Sequence, residues 1–322
     1  MAALPEPPAL HVIDLRQLRA EALDSLLAEE VEDWRRSLHW DFRASADLVR
    51  RFVGMRALSG AALQAGGRAV GYCYYVTEDR KGLIGDLYVA DAYRTAQAEE
   101  ALLSAVLEVL LRPGFVRRVE SQPMMMLAAS ARDAVGAPFL STFERNFMRL
   151  DLAASANLPA GPSRDKLELD NWHAGLQDES AQVIADAYYN HVDSLINDQY
   201  RSPSGARHFL TNIVQYPGCG SFCAPASFVA WHKESRRLCG VCLSSMVARE
   251  VGHITQVCVS PAVKGSGVGY ELMRAALAAF AAAGCREVTL TVTASNSKAV
   301  QLYESLGFRT MKRFNACVWD GF

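Results

Sequence analysis

Residues 257–270 constrain the fold more than any other stretch of this chain. They read Val257-Cys258-Val259-Ser260-Pro261-Ala262-Val263-Lys264-Gly265-Ser266-Gly267-Val268-Gly269-Tyr270. The pattern is a short apolar strand, a Pro-marked turn and a glycine-rich loop that opens a helix. A helix start leaves backbone N–H groups without intrahelical partners, and the helix dipole adds positive potential at the same end. Gly265, Gly267 and Gly269 keep the approach open and Lys264 adds a cation, so the segment predicts a phosphate-binding loop.

The glycine spacing decides among phosphate loops. A nucleotide-hydrolase loop places Lys and Ser or Thr directly after its second glycine, whereas Lys264 precedes the glycines here. A dinucleotide fold needs Gly-x-Gly-x-x-Gly and an acidic residue ending the next strand. The spacing at 265–269 differs, and the next strand, 287–293, runs to Thr293. A third pattern fits throughout: a strand ending in Val-x-Pro, a basic residue, then x-x-Gly-x-Gly. Downstream, 270–280 has a helical apolar stripe at Leu272, Met273, Ala276, Leu277 and Phe280, and 287–293 predicts a strand parallel to the first. Next comes Asn296-x-x-Ala299-x-x-Leu302-Tyr303-x-x-x-Gly307-Phe308, a helix that Ser295 or Asn296 can cap. Together the loop and this helix resemble the two signatures of the GCN5-related N-acetyltransferase (GNAT) superfamily, in order.

Composition bounds the rest. The chain has 322 residues, half of them hydrophobic, which suits two domains of ordinary size. A net charge of −2 gives no reason to expect nucleic acid or an anionic membrane as partner. No apolar run reaches transmembrane length, and residues 1–8 read as a short arm lacking a signal-peptide core. Of eight cysteines, seven lie from Cys219 onward; Cys239 and Cys242 have metal-like spacing, but no second pair or His cluster joins them. Free thiols, no metal and a reducing cytoplasm are the expectation.

The first half echoes the second. Gly85-Asp86-Leu87-Tyr88-Val89-Ala90-Asp91-Ala92-Tyr93-Arg94 again reads as strand, turn and basic residue, with a helix over 98–111 and a strand over 118–125. Aligned, Val89 falls on Val259 and Arg94 on Lys264, but Thr95, Gln97 and Glu99 stand in place of the three glycines. Residues 69–76 and 238–243 both resemble a GNAT third strand. The expectation is an α/β (α+β) fold of two tandem GNAT-like domains, each a mixed, mostly antiparallel twisted sheet flanked by helices. The boundaries are a degenerate domain over 1–152, a linker over 153–165 and a catalytic domain over 166–322, with 147–152 closing the first sheet. The lost glycines and the charge of Glu99 predict that the first copy does not bind CoA.

The resemblance implies an acetyl-CoA-dependent N-acetyltransferase that transfers acetyl to a primary amine directly, within a ternary complex. It implies that Val257, Cys258 and Val259 meet the pantetheine arm, that Lys264, Gly265, Ser266, Gly267, Val268, Gly269 and Tyr270 hold the pyrophosphate, and that Asn296 lies near CoA. Tyr303 matches the residue that protonates the departing sulfur; its structural alternative is a core aromatic. The base is open. His253 falls where relatives carry a Glu, and strand alternation puts it on the face of Thr255, Val257 and Val259. The alternative for His253 is packing near the hairpin turn 248–251; Glu250 acting through water is a fallback, and Gln256 can orient an acceptor. Acceptor recognition is expected over 180–221, in a helix over 181–195, a polar cluster and a helix over 206–214. Asp193, Asp198 and Tyr200 are candidates for a cationic amine, with Arg201 or Arg207 for a carboxylate; a solvated helical hairpin is the alternative. The acceptor is a small-molecule amine or a protein N-terminus, and an oligomer is compatible with the sequence. Two rivals stand: a CoA-binding sensor or scaffold without turnover, and a transferase using a larger acyl or aminoacyl donor.

Overall fold

The computed structural model describes residues 9–155, 158–216 and 218–322. The expected N-terminal arm, two residues of the expected linker and position 217 lie outside the described residues. In chain order the first elements are β1 (Leu10–Asp14), α1 (Asp24–Leu38), α2 (Arg43–Gly54), β2 (Ser59–Ala65), β3 (Arg68–Glu78), β4 (Lys81–Val89), α3 (Ala96–Leu110), β5 (Arg118–Ser121) and β6 (Leu140–Asp151). There follow β7 (Leu167–Asn171), α4 (Gln177–Tyr188), α5 (Asp193–Ile196), α6 (Pro203–Gln215), β8 (Ser221–Phe222), β9 (Phe228–His232) and β10 (Arg237–Ala248). The chain ends with β11 (Val251–Val259), α7 (Val268–Ala282), β12 (Glu287–Thr293), α8 (Ser297–Ser305) and β13 (Arg309–Asp320).

Two compact units form. One gathers the described residues up to Arg36, Phe42–Glu144 and Phe314–Phe322; the other gathers Ser37–Asp41 and Arg145–Arg313. In the first unit the strand order is β1-β2-β3-β4-β5-β13, antiparallel except for the parallel β4/β5 pair. In the second the order is β6-β12-β11-β10-β9-β7, antiparallel except for β11/β12, with β8 on β10. The units therefore do not follow a cut between 152 and 166. The strand expected to close the first sheet pairs instead with β12, Leu150 opposite Val288. The end of β13 completes the first unit, where Trp319 is fully buried against α3 residues such as Leu107. Burial of an aromatic side chain of that size outweighs local sequence order in choosing a strand's partner.

In the second unit the sheet is covered on both faces. Leu272, Phe280 and Val288 share a core with Tyr303 and Phe308 on the α7 and α8 side. Ile184 and Leu210 pack on Val241, Leu243 and Cys258 on the α4 and α6 side. The stripe expected over 270–280 is this buried face, and the helix extends two residues beyond it at each end. The helix expected over 181–195 stops at Tyr188, because Asn190 turns into the left-handed region at φ 54°. A second short helix, α5, then restarts at Asp193.

Candidate active site

The parallel pairing of β11 and β12 runs from Val251–Glu287 to Ile254–Leu290 and goes no further. Beyond it, no strand among the described residues pairs with that edge of 255–259. The parting coincides with a β-bulge: Leu243 faces Gln256 and Ser244 faces Ile254, which leaves Thr255 as the extra residue. Backbone donors and acceptors are thereby exposed along the wedge between the strands. The chain fills this wedge with two cavities.

The larger cavity, of ≈ 340 Å³, runs from β11 to the start of α7. Val257, Cys258 and Val259 form one wall, Lys264, Gly265, Gly267, Val268, Gly269 and Tyr270 the next, and Asn296 and Tyr303 a third. Of the residues expected to hold the cosubstrate, Ser266 alone turns away; its Oγ donates to the Val263 carbonyl at 2.6 Å. Gly265 and Gly267 adopt φ of +83° and +96°, a region that side-chain-bearing residues rarely enter. Gly267 is the N-cap of α7 and supplies no side-chain acceptor, so the first N–H groups of the helix stay available to a ligand. A carbonyl at Pro159 accepts the Tyr270 hydroxyl at 2.9 Å and steadies that wall. Asn296 lines this cavity and also caps α8, accepting from Ala299 N at 3.4 Å.

The smaller cavity, of ≈ 100 Å³, lies where β11 and β12 separate. It shares Tyr188, Val257, Asn296, Ala299 and Tyr303 with the larger one and adds Arg145, Asp193, Tyr200 and Gln256. Gln256 Nε2 donates to the Tyr188 hydroxyl at 2.9 Å, and the Tyr200 hydroxyl donates to Gln256 Oε1 at 3.3 Å. The Tyr188 and Tyr200 rings stack at 4.5 Å. Asp193 Oδ1 accepts from the Thr293 hydroxyl and lies 3.6 Å from an Arg145 nitrogen, while Oδ2 lies 3.4 Å from His191 Nδ1. Burial raises the Tyr303 pKa, with the charge of Asp193 adding to the shift, so the phenol keeps its proton near neutrality. Burial lowers the pKa of His191, against the opposing pull of Asp193, which favours the neutral imidazole.

The expected bases are elsewhere. The bulge at Thr255 reverses the alternation, so His253 does not share a face with Val257 and Val259. Its ring packs against Trp40 and Phe147 at centroid distances of 5.0 and 6.3 Å, and Nδ1 is 2.9 Å from Thr289 Oγ1. Burial lowers its pKa to about 3, which makes it a weak base as well as a remote one. Glu250 sits at the hairpin end, half exposed, 3.1 Å from Arg286. Neither residue lines either cavity. Of the acceptor candidates, Asp193 and Tyr200 meet in the smaller cavity. Asp198 does not line it, and Arg201 donates instead to the Ser194 carbonyl at 2.8 Å. Arg207 pairs with Asp178 at 3.0 Å on an exposed surface. The sequence reading missed Arg145, Tyr188 and His191. Arg145 falls within the expected first domain, 1–152, and the positive-φ turn beside His191 lies inside the helix expected over 181–195.

Comparison with known proteins places one segment of the chain in a family. Residues 190–308, which contain the loop, Tyr303 and most of the cavity walls, match the model of the Acetyltransferase (GNAT) family. That segment belongs to the GNAT family. The chain is 34% identical over 93 residues to N-alpha-acetyltransferase MAK3 of Arabidopsis thaliana and 27% identical over 268 residues to mycothiol acetyltransferase of Thermobispora bispora. The first match spans 27% of this chain and 46% of the plant protein, less than half its length; the second spans 81% and 83%. The whole chain shares its fold with a GCN5-related N-acetyltransferase from Sphaerobacter thermophilus, at TM-score 0.67 and 18% identity over 99% and 98% of the two chains. A tandem GNAT protein from the clavulanic acid biosynthesis pathway matches at TM-score 0.60 and 17% identity over 96% and 98%.

Proposed function

We propose that the protein is an acetyl-CoA-dependent N-acetyltransferase that works in its second unit by direct transfer to a primary amine. The observation that carries this reading is the joining of the two cavities at Val257 and Tyr303, one open to a glycine-lined helix start and the other polar and small. The donor fits the larger cavity because Gly265 and Gly267 bare the backbone, α7 offers uncapped N–H groups, and Lys264 supplies positive charge. Acetyl-CoA supplies the acetyl group as an activated thioester. The unpaired edge of β11 at 255–259 supports an N–H contact to the carbonyl oxygen.

The acceptor amine, ordinarily protonated near neutrality, must lose a proton before its nitrogen can attack. Asp193, with neutral His191 beside it, is the pair nearest to that task in place of His253 and Glu250. As the new C–N bond forms and the C–S bond breaks, the Tyr303 hydroxyl gives its proton to the sulfur and regains one from the amine side. Cys258 also lines the larger cavity, but burial pushes its thiol up to about 12, so it is a poor nucleophile and a covalent relay is disfavoured.

Tyr303→Phe tests the reading. Thiol release from acetyl-CoA should fall by roughly 100-fold or more, the scale of a lost general acid, while calorimetric affinity for acetyl-CoA stays close to wild type. Unchanged turnover would remove the acid role, and a wild-type chain that binds no acetyl-CoA would remove the whole reading.

A further inference from the structure

Arg145 is the residue at the acceptor cavity that the proposed chemistry leaves without a task. It stands on β6 opposite Thr293, at the open end of the wedge, and its side chain is 14% exposed. Its Nε is buried and has no hydrogen-bond partner. The nearest carboxylate, Asp193, is 3.6 Å from a terminal nitrogen, too far for a hydrogen bond, and its Oδ1 is already taken by Thr293. A buried guanidinium with unspent donors is costly, unless a ligand completes it. Among the residues lining this cavity, Arg145 and Asp193 are the only charged ones, one of each sign.

We infer that the acceptor carries a carboxylate beside its amine, and that Arg145 is the residue that binds it. The inference rests on the acetyltransferase reading for the amine alone; the carboxylate contact follows from the cavity. A 3.6 Å separation of opposite charges matches a zwitterion whose ammonium and carboxylate share one carbon: the ammonium lies toward Asp193 and the carboxylate takes the planar fork of Arg145. A polyamine would meet the Arg145 cation, and an uncharged amine would leave its donors unpaired. The stacked Tyr188 and Tyr200 rings supply an apolar wall for the rest of the molecule. The acceptor class is therefore a free amino acid or a close analogue with its carboxylate unblocked.

The test is calorimetric titration of the full chain, saturated with CoA, with free L-amino acids and the matching carboxamides. At least one acid should bind about tenfold or more tightly than its carboxamide, the scale of one charge-assisted contact. Arg145→Gln should erase that preference and Arg145→Lys should reduce it; if the Gln variant does not fold, the Lys variant carries the test. Carboxamides that bind as well as acids, or an absence of binding by any acid, overturn the inference. Because the readout is binding, it separates the two ideas. Selective acid binding without thiol release from acetyl-CoA sinks the transferase reading alone, whereas thiol release with amides as good as acids sinks this one alone.

Discussion

The starts of α3 and α7 are two versions of one turn, and they use their backbone N–H groups in opposite ways. At α3, Thr95 caps the helix, accepting from Ala98 N at 3.1 Å. Arg94 folds back to Asp33 at 2.9 Å and lies 4.9 Å over the Tyr88 ring. Glu99 is buried and accepts from Leu127 N at 2.8 Å and Ser130 Oγ at 2.6 Å. At α7, Gly267 replaces the capping side chain, Lys264 faces the cavity, and Gly269 leaves open the space that a Glu would fill. The first turn is satisfied from within, and the second leaves its N–H groups facing the cavity without a side-chain cap. The strands before the two turns are alike even in their irregularity: β4 bulges at Gly85, between Tyr74–Asp86 and Tyr75–Ile84, as β11 bulges at Thr255. What separates the copies is the turn: Thr95 is extended at φ −133° and caps α3, whereas Gly265 and Gly267 take φ of +83° and +96° and α7 starts two aligned positions later.

The strongest way to break this comparison is to give the second turn the residue of the first. Gly269→Glu has room at Cβ, whose nearest neighbours would be at 3.5 and 3.6 Å, but it brings a carboxylate to the proposed pyrophosphate site. Affinity for acetyl-CoA should drop by roughly 100-fold or more, since like charges set against each other cost several kcal/mol. Wild-type affinity in this variant would mean that the glycines do not distinguish the two turns. A smaller effect sharpens the comparison in the first unit, where Asp86 holds the position of Gln256. Glu30 and Asp86 are buried together, and Tyr72 donates to Glu30 at 2.7 Å. Burial raises both carboxyl pKa values, Asp86 to about 6. The folded protein thus keeps protons that the unfolded chain has released, so this stabilisation is complete below about pH 4 and is lost as pH rises through about 6. Glu30→Gln should flatten the fall in melting temperature between those limits. An equal fall in both proteins would show that the pair does not titrate as described.

What could be read from sequence was what is local. The loop at 264–270, the helix at 296–308 and the strand at 287–293 are each set by neighbouring residues, and each appears where its pattern puts it. Three features do not follow from the local apolar pattern. His253 was put on the wrong face because one bulge residue, Thr255, reverses a period-two count. Arg145 was hidden because β6 pairs with β12, more than a hundred residues away. The break after Tyr188 rests on one left-handed residue, Asn190, whose identity was a signal that outweighs the apolar periodicity around it.

The central claim is that one of the two turns holds the cosubstrate. Isothermal titration of the intact chain with acetyl-CoA measures it directly. The account predicts one molecule bound per chain, with binding lost in Gly269→Glu. Two molecules per chain, or one that persists undiminished in that variant, would contradict it.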